Sequence, residues 1–249
     1  MEKNYTRPNS MNPRATGYCP GCLHGVATRL ICELIDEFGI QERTTSVLPI
    51  GCSSMGVFQF DTDLVVSLHG RAPAVATGIK RCAPERFVYS YQGDGDLAAI
   101  GLSEIMHAAN RGENITSIFV NNSIYGMTGG QMAPTTLPGM KATTCQSGRD
   151  VSVNGNPIRV SEMLATLDGP VYIERVSVDS APNVIKAKKA IKKALECQMK
   201  GLGYSFVEVV SSCPTNWGMT PVKAMEFVRE KMIPYYPLGV YKDLTEEAK

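Results

Sequence analysis

Short β-branched runs alternate along this chain with longer segments whose apolar residues recur at helical spacing. The clearest unit begins at residues 86–91, an apolar and β-prone run that predicts a strand. Residues 97–110 are typical of a helix, and because they are apolar on nearly every side we expect this helix to be buried. The β-branched run 115–120 predicts a second strand. A crossover helix between two strands makes those strands parallel.

The same alternation extends over most of the chain. It predicts further helices at residues 23–38, 72–80, 161–167, 183–200 and 221–232, and further strands at residues 45–50, 64–68, 171–176 and 204–210. The expected fold class is therefore α/β, with a mainly parallel sheet and helices on both faces. We expect a single domain over residues 1–249, with a cysteine-bearing N-terminal arm (about 1–22) and an irregular C-terminal tail (about 233–249). The segment 132–157 is predicted to be a long irregular loop, and such loops are usually functional or mobile.

Size and charge narrow the possible functions. The chain has 249 residues, enough for one large α/β domain, and its net charge of +1 gives no indication of nucleic-acid binding. No apolar run approaches the roughly 20 residues of a membrane span. The first residues are polar and lack the apolar core of a signal peptide. We therefore expect a cytoplasmic protein that binds neither nucleic acid nor membrane.

Polar residues follow the two strands of the central unit. Asp94 and Gly95 come directly after the first strand, and Asn122 follows the second. Because parallel strands bring their carboxyl ends to the same sheet edge, we expect Asp94 and Asn122 to meet there. A carboxylate, an amide oxygen and nearby carbonyls suit Mg²⁺, and Gly95 at a helix N-terminus would offer N–H groups to a phosphate. We interpret this edge as a Mg²⁺–diphosphate site, although GDGD alone would more often be only a turn.

The cysteines allow three interpretations. Cys19 and Cys22 form a CxxC pair before a helix, while Cys52 and Cys213 follow predicted strands. Four such thiolates would suit a [4Fe–4S] cluster or zinc, although structural zinc more often shows two CxxC-like pairs. A redox dithiol at Cys19 and Cys22 ranks lower, because no strand precedes the motif as it would in a thioredoxin-like protein. The remaining cysteines are expected to be ordinary thiols: Cys32, Cys82, Cys145 and Cys197.

The stretch that runs from GDGD to the Asn pair resembles the thiamine diphosphate motif. By this resemblance, Asp94 and Asn122 supply side-chain oxygens to Mg²⁺, and Ile124 supplies its backbone carbonyl. Gly95 and Asp96 would contact the diphosphate of the cofactor.

Six short motifs, taken in order, resemble the thiamine-binding β subunit of the 2-oxoacid:ferredoxin oxidoreductases: YCPGC, PIGCSS, LHGRA, QGDGD, NNSIYGMTGGQ and SCPTNWG. Each motif is weakly specific, but the ordered set is highly specific. The resemblance implies a thiamine diphosphate-binding fold and a [4Fe–4S] cluster held by Cys19, Cys22, Cys52 and Cys213. It implies that His69 and Arg71 are catalytic. It also implies that the cofactor is lined by Ile50, Gly51, Cys52, Ser53, His69, Gly126 and Met127.

The resemblance further implies a reaction in which a 2-oxoacid and coenzyme A give acyl-CoA, CO₂ and two electrons for ferredoxin. Thiamine enzymes need a second domain that grips the aminopyrimidine, and we find no second GDG-type module in this sequence. We also find no C-x₂-C-x₂-C-x₃-C ferredoxin run. We therefore expect partner subunits, namely a pyrimidine-binding α, a γ and a ferredoxin-like δ subunit, and we expect the chain alone to be inactive.

Two positions bear on the substrate. Some relatives carry an Asn where this chain has Met127, and others a Lys where it has Gly129. An apolar wall without a carboxylate partner favours a branched-chain 2-oxoacid such as 2-ketoisovalerate, with 2-oxoglutarate as the alternative. The lysine-rich stretch 186–193 is better interpreted as a solvated helix face than as a ferredoxin-docking site. Two other classes remain possible at this point, a thiol–disulfide oxidoreductase and a zinc-binding module.

Overall fold

The predicted strands assemble into one seven-stranded sheet in the computed structural model, which describes residues 6–246. The strands are β1 (Thr44–Leu48), β2 (Asp63–Val66), β3 (Phe87–Gly93), β4 (Thr116–Asn121), β5 (Pro170–Ser177), β6 (Tyr204–Val210) and β7 (Gly239–Asp243). Their order in the sheet is β2-β1-β3-β4-β6-β5-β7. The first five residues of the predicted arm and the last three of the predicted tail lie outside the described part of the chain.

Helical segments connect these strands. They are α1 (His24–Phe38), α2 (Ala72–Cys82), α3 (Leu102–Asn110), α4 (Val151–Asn154), α5 (Val160–Ala165), α6 (Ala181–Met199), α7 (Pro214–Trp217), α8 (Pro221–Phe227) and α9 (Ile233–Tyr235). Two segments have the wider π-helical geometry, Gly95–Ile100 before α3 and Val228–Met232 after α8. Short 3₁₀ turns occur at Gln41–Arg43 and Cys52–Phe58.

The strand pairing confirms a mainly parallel sheet. All pairs among β1 to β6 are parallel, and only β7 runs antiparallel, against β5. The prediction of an irregular tail is therefore wrong for residues 239–243, which place Gly239 opposite Arg175 and Asp243 opposite Tyr172. A five-residue strand carries too few alternating positions to be recognised, and it forms because β5 would otherwise leave an unpaired edge.

Apolar side chains cover both faces of the sheet, as predicted. On one face, Leu34 of α1 and Ile191 of α6 belong to a buried cluster with strand residues such as Tyr89. On the other face, Ile105 of α3 and Leu164 of α5 belong to a second cluster. The sheet is thus a layer between two helical layers, which is the arrangement that alternating strands and helices favour.

The helix predicted over residues 97–110 differs from expectation. It begins as the π-helical segment Gly95–Ile100 and continues as α3 after Gly101. Its side chains are buried on one side only, and Ile100 is 49% exposed to solvent. The prediction that this helix is buried all round is therefore wrong, because a uniformly apolar sequence does not distinguish a core helix from one with an exposed apolar face.

The long segment 132–157 is built around one buried cation. Arg149 is only 6% exposed, and its guanidinium donates hydrogen bonds to the carbonyl oxygens of residues 133, 134, 136, 154, 155 and 156. Because these carbonyls come from both ends of the segment, Arg149 ties the loop to itself. The loop therefore has a defined structure beside the sheet edge.

The topology brings four distant segments together at one edge. Strands β1, β3, β4 and β6 are consecutive neighbours in the sheet, and all four run parallel. The segments that leave their carboxyl ends begin near Cys52, Asp94, Asn122 and Cys213. Within residues 6–246, no helix is both long enough and apolar enough to cross a membrane.

Candidate functional site

A cavity of about 250 Å³ opens at this carboxyl edge of the sheet. Most of the residues predicted for the site lie around it: Ile50, Gly51, Cys52, Ser53, His69, Asp94, Gly95, Asp96, Asn122, Ile124, Gly126 and Met127. The structure brings these side chains together, while the roles assigned to them stay predictions. The lining also includes residues that the sequence did not single out: His24, Gly93, Tyr125 and Thr128.

Three oxygens predicted to hold a cation converge in this cavity. The Asn122 side-chain oxygen faces the carbonyl oxygen of Ile124 at 2.8 Å and Oδ1 of Asp94 at 3.2 Å. The Asn122 oxygen also accepts the backbone N–H of Ile124 at 3.3 Å, but neither of its two contacts with the other oxygens is a hydrogen bond in this amide orientation. A half-turn of the Asn122 amide would replace the conflict with two hydrogen bonds, and a cation between the oxygens would remove it as well. One carboxylate, one amide oxygen and one carbonyl form a donor set that fits Mg²⁺.

Asp94 is held in a buried position. Its Oδ2 accepts hydrogen bonds from Oγ1 of Thr135 at 2.8 Å and from the backbone N–H of Ile124 at 3.2 Å. The hydroxyl of Tyr236 donates in turn to the carbonyl oxygen of Thr135 at 2.6 Å. Burial raises the pKa of Asp94 to about 7, and these hydrogen bonds only partly oppose the effect of burial. The negatively charged form of Asp94 is therefore disfavoured, and a bound cation would stabilise it.

A buried network supports the loop that carries Asn122. The amide of Asn121 donates to Oε1 of Glu208 at 2.8 Å, and its oxygen accepts from the backbone N–H of Ser123 at 3.2 Å. Ser123 has a φ of 58°, which is uncommon for a residue other than glycine. Glu208 is fully buried and lies 2.8 Å from Nε of Arg175, an ion-pair distance without hydrogen-bond alignment. The sequence analysis missed Glu208 because its neighbours in β6 read as an ordinary apolar strand.

His69 is oriented by a buried carboxylate. Its Nδ1 lies 2.6 Å from Oδ1 of Asp96, which also accepts the backbone N–H of Gly70 at 2.7 Å. The other oxygen of Asp96 accepts from Nε2 of Gln92 at 2.5 Å. With both carboxylate oxygens engaged, only the backbone of Asp96 is left for the predicted diphosphate contact. The imidazole is fixed through Nδ1, and Nε2 is its remaining reactive nitrogen.

Arg71 is placed differently from the prediction. Its guanidinium forms an ion pair with Glu104 of α3, and the residue does not contribute to the cavity lining. The turn at Gly70, between His69 and Arg71, explains why Arg71 does not line the cavity. Gly70 has a φ of 79°, and a side chain there would collide with Ile100 and Gly101. The chain therefore turns sharply after His69 and directs Arg71 towards α3, so the structure does not support its predicted place in the catalytic wall.

The four candidate thiols influence one another electrostatically. Burial raises the pKa of the Cys22 thiol to about 12, with further contributions from Cys213, Cys52 and Cys19. Burial also raises the pKa of Cys52 to about 12, with contributions from Cys213, Asp94 and Cys19. The environment of Cys22 and Cys52 thus disfavours their thiolate forms in the absence of a compensating cation. Across residues 6–246, no three His, Cys, Asp or Glu side chains are arranged to hold a single metal ion.

Gly126 lies where the cavity meets two of these thiols. A methyl group added at Gly126 would lie 3.0 Å from Sγ of Cys52 and 3.5 Å from Sγ of Cys213. Gly126 and Cys52 both line the cavity. The cysteine site and the cavity therefore share a wall that contains Gly126 and Cys52.

His24 also lines the cavity, although the sequence analysis did not single it out. Its Nδ1 lies 2.6 Å from the hydroxyl of Tyr91, and the ring of Tyr18 stacks on it with centroids 5.0 Å apart. Burial lowers the pKa of His24 to about 4, so the imidazole is neutral near pH 7. A lone histidine on a helix gives no sequence signal that distinguishes this position from a core histidine.

Exposed apolar side chains lie in the cavity lining, at Ile50 and Met127, and beside it, at Leu68 next to the lining residue His69 and at Ile100 against Gly70. We call the following set the apolar rim: Ile50 (45% exposed), Leu68 (79%), Ile100 (49%) and Met127 (48%). Apolar groups that remain exposed together around a cavity mark an interaction surface more often than a free surface.

Sequence and structure comparisons match this chain to known proteins. Residues 49–209 match the family model described as thiamine pyrophosphate enzyme, C-terminal TPP binding domain. Subunit VorA of a ketoisovalerate oxidoreductase from Methanothermobacter marburgensis is 49% identical over 249 residues, which are 100% of this chain and 52% of that protein. The chain thus spans about half the length of this relative.

Two further matches cover a larger share of the other protein's length than the match to VorA does. Subunit KorB of a 2-oxoglutarate synthase from Methanocaldococcus jannaschii is 37% identical over 236 residues, covering 92% of this chain and 82% of that subunit. Among solved structures, a 2-oxoglutarate:ferredoxin oxidoreductase from Magnetococcus marinus matches with a TM-score of 0.80 and 28% identity. That match covers 97% of this chain and 86% of the other.

Proposed function

The chain belongs to the family of thiamine-diphosphate-binding β subunits of the 2-oxoacid:ferredoxin oxidoreductases, and we propose that it carries thiamine diphosphate, Mg²⁺ and one [4Fe–4S] cluster in such an enzyme. The reaction is the oxidative decarboxylation of a 2-oxoacid with coenzyme A. Its products are acyl-CoA, CO₂ and reduced ferredoxin. A cytoplasmic location remains a prediction from the sequence.

One observation carries this proposal: the wall at Gly126. Oxidation by a one-electron acceptor requires the acceptor to lie close to the reacting cofactor. Gly126 lines the cavity together with Cys52 and lies close to the sulfur atoms of Cys52 and Cys213. Cysteines 19, 22, 52 and 213 would hold the cluster there, since four thiolates are the usual ligand set of [4Fe–4S].

Asp94, Asn122 and Ile124 would hold Mg²⁺ through the three oxygens that now face one another. The segment that begins at Gly95 is the start of a helix, where the first backbone N–H groups have no partner in a preceding turn. Those groups would bind the diphosphate. The raised pKa of Asp94 supports this assignment, because a divalent cation would stabilise the carboxylate that burial disfavours.

Thiamine diphosphate, when bound, supplies an electron sink for loss of CO₂ from the 2-oxoacid. The protein contributes orientation and exclusion of water. His69 is fixed by Asp96 at the cavity wall, where its Nε2 could donate a proton to a bound reactant or accept one from it. Ile50 and Met127 provide apolar surface on the cavity wall that limits access of water.

We further propose that partner subunits complete the site. The apolar rim is the surface that a second, pyrimidine-binding domain would cover, and the relative VorA is about twice as long as this chain. The complex would include α, γ and ferredoxin-like δ subunits, with ferredoxin and coenzyme A as reactants. The chain alone would then be inactive.

A branched-chain 2-oxoacid such as 2-ketoisovalerate is the substrate we favour. Met127 adds an apolar side chain to the cavity wall, and no lysine of the described residues contributes to that wall. The 49% identical relative is named a ketoisovalerate oxidoreductase subunit. 2-Oxoglutarate is the alternative, supported by the 37% identical synthase subunit and by the structural match.

A substrate panel on the anaerobically purified complex tests the reaction. We expect coenzyme A-dependent reduction of ferredoxin to be faster with 2-ketoisovalerate than with 2-oxoglutarate or pyruvate. Faster reduction of ferredoxin with 2-oxoglutarate than with 2-ketoisovalerate would indicate the alternative substrate. No reduction with any 2-oxoacid, in a complex that retains thiamine diphosphate and iron, would overturn the proposed reaction.

A further inference from the structure

Asn216 lies between the candidate cluster site and the cavity wall. It follows Cys213 in α7, and its side chain reaches back over the start of that helix. Its Nδ2 donates a hydrogen bond to the carbonyl oxygen of Gly126 at 2.9 Å and lies 3.3 Å from Sγ of Cys213, within hydrogen-bond distance of sulfur. A carboxamide NH₂ has two protons, so one nitrogen can serve both acceptors at once.

Close packing leaves this side chain little freedom. A methyl group at Gly130 would lie 3.2 Å from both Cβ and Oδ1 of Asn216, and one at Gly126 would lie 3.7 Å from its Nδ2. The loop 126–130 therefore encloses the carboxamide from one side, while Cys213 lies on the other. The side chain of Asn216 is thus packed between these two segments.

The contact also affects the charge on sulfur. The side-chain N–H of Asn216 that faces Sγ of Cys213 places a partial positive charge beside the sulfur. This N–H group thus stabilises negative charge on the sulfur atom. Hydrogen bonds to cysteine sulfur are among the factors that set the reduction potential of an iron–sulfur cluster. Accepting one electron adds one negative charge to a cluster, and a donor beside its sulfur favours that reduced form.

We propose that Asn216 is a positioning residue that raises the reduction potential of the cluster through Cys213 while it fixes the carbonyl of Gly126 in the shared wall. This inference rests on the proposed function, because it requires a cluster on Cys213. Its consequence is that one side chain links the electron acceptor to the cavity in which the electrons are released.

Potentiometric titration of the cluster in the anaerobically purified complex, followed by electron paramagnetic resonance, tests the inference. Asn216→Leu removes both donated hydrogen bonds at similar size and should lower the potential. Asn216→Asp adds negative charge beside the sulfur and should lower it further. Should Leu prevent cluster assembly, Asn216→Ser removes the same donors without bulk and carries the same expectation.

Ser212→Ala is the matched control. Ser212 precedes Cys213, and its Oγ donates to the carbonyl oxygen of Gly21 at 2.8 Å, so it ties together the segments that carry Cys22 and Cys213. The substitution disturbs the same ligand loops without removing a donor to sulfur, and we expect an unchanged potential. An unchanged potential in Asn216→Leu or Asn216→Ser, with the cluster intact, would overturn this inference alone. Absence of iron from the wild-type complex would overturn the proposed function itself.

Discussion

Nδ1 of His69 lies 2.6 Å from Oδ1 of Asp96, and this carboxylate is anchored independently by Gly70 and Gln92. Asp96 is 2% exposed, whereas the His69 side chain is 41% exposed at the cavity. A buried acceptor on one ring nitrogen determines which face and which nitrogen the imidazole presents. Asp96 is therefore the residue that gives His69 a fixed orientation towards the cavity.

Two substitutions of Asp96 should distinguish the effect of its negative charge on His69 from the effect of its hydrogen-bond geometry. In Asp96→Asn, a half-turn of the Gln92 amide would let the new amide donate to Oε1 of Gln92, a buried oxygen that has no hydrogen-bond partner among the described residues. The orientation of His69 should then be retained although the negative charge of Asp96 is lost. Asp96→Ala loses both, and we expect turnover to fall by about 100-fold, with a smaller fall for Asn.

Steady-state turnover and the thiamine content of the same samples provide the measurement. The exposed Asp168 offers a control, since Asp168→Asn should change neither quantity. Full activity in Asp96→Ala would show that the orientation of His69 does not matter for the reaction.

Asp94 should make the metal-free chain less stable as the pH rises. Its pKa is raised to about 7 in the folded chain and is about 3.9 in an unfolded one. The folded state therefore binds more protons between these values. The stabilisation is fully present below about pH 4 and is lost as the pH rises through about 7. Asp94→Asn should remove this dependence, so in the presence of a chelator it should melt at a higher temperature than the wild type at pH 8.

The same substitution should abolish the response to the cofactor. Mg²⁺ and thiamine diphosphate together should raise the melting temperature of the wild-type chain at pH 8, since a ligand that binds only the folded state stabilises it. Asp94→Asn should show no such rise. A variant that is destabilised without ligand, yet stabilised by Mg²⁺ and thiamine diphosphate as much as the wild type, would contradict the assigned role.

Glu208 should be far more important for stability than the other carboxylate paired with the same arginine. Arg175 contacts both Glu208, which is fully buried, and Glu162, whose side chain is 31% exposed. Glu208→Ala removes the acceptor for the amide of Asn121 and the hydroxyl of Ser161, and it leaves the buried guanidinium with the partly exposed Glu162 as its carboxylate partner among the described residues. We expect a loss of about 3–5 kcal/mol in the free energy of unfolding, against about 1 kcal/mol or less for Glu162→Ala. Urea denaturation measures both, and equal losses would contradict the buried network described here.

The apolar rim should be required for assembly and not for folding. Leu68 is 79% exposed, so Leu68→Asp should leave the melting temperature of the chain unchanged while partner subunits no longer co-purify. Ile185 on α6 is 60% exposed and lies outside the rim, so Ile185→Asp should retain them. Retention of all partners by Leu68→Asp would exclude this part of the rim from the interface.

Local sequence patterns predicted much of this structure. The turn after β3 and the Asn pair after β4 indicated one sheet edge, and parallel topology was enough to bring Asp94 and Asn122 together. Because β1, β3, β4 and β6 are consecutive in the sheet, Cys52 and Cys213 lie at the same edge as Asp94 and Asn122. These predictions succeeded because each depends on where a strand ends, which β-branched runs and glycines mark clearly.

The supporting residues could not be predicted in the same way. Arg149, Glu208 and Asn121 act through partners that are distant in sequence, and their own neighbourhoods resemble a loop or an apolar strand. Whether a side chain such as Arg71 turns towards the cavity depends on a single glycine turn and a nearby Glu104. Strand β7 depends on the free edge of β5 more than on its own residues.

The most direct test is elemental and cofactor analysis of the anaerobically purified complex, with iron, sulfide, magnesium, zinc and thiamine diphosphate measured on one sample. We predict about four irons and one thiamine diphosphate for each copy of this chain, with partner subunits retained. Zinc in place of iron, or an intact complex without thiamine diphosphate, would contradict the proposed function and leave only a shared fold.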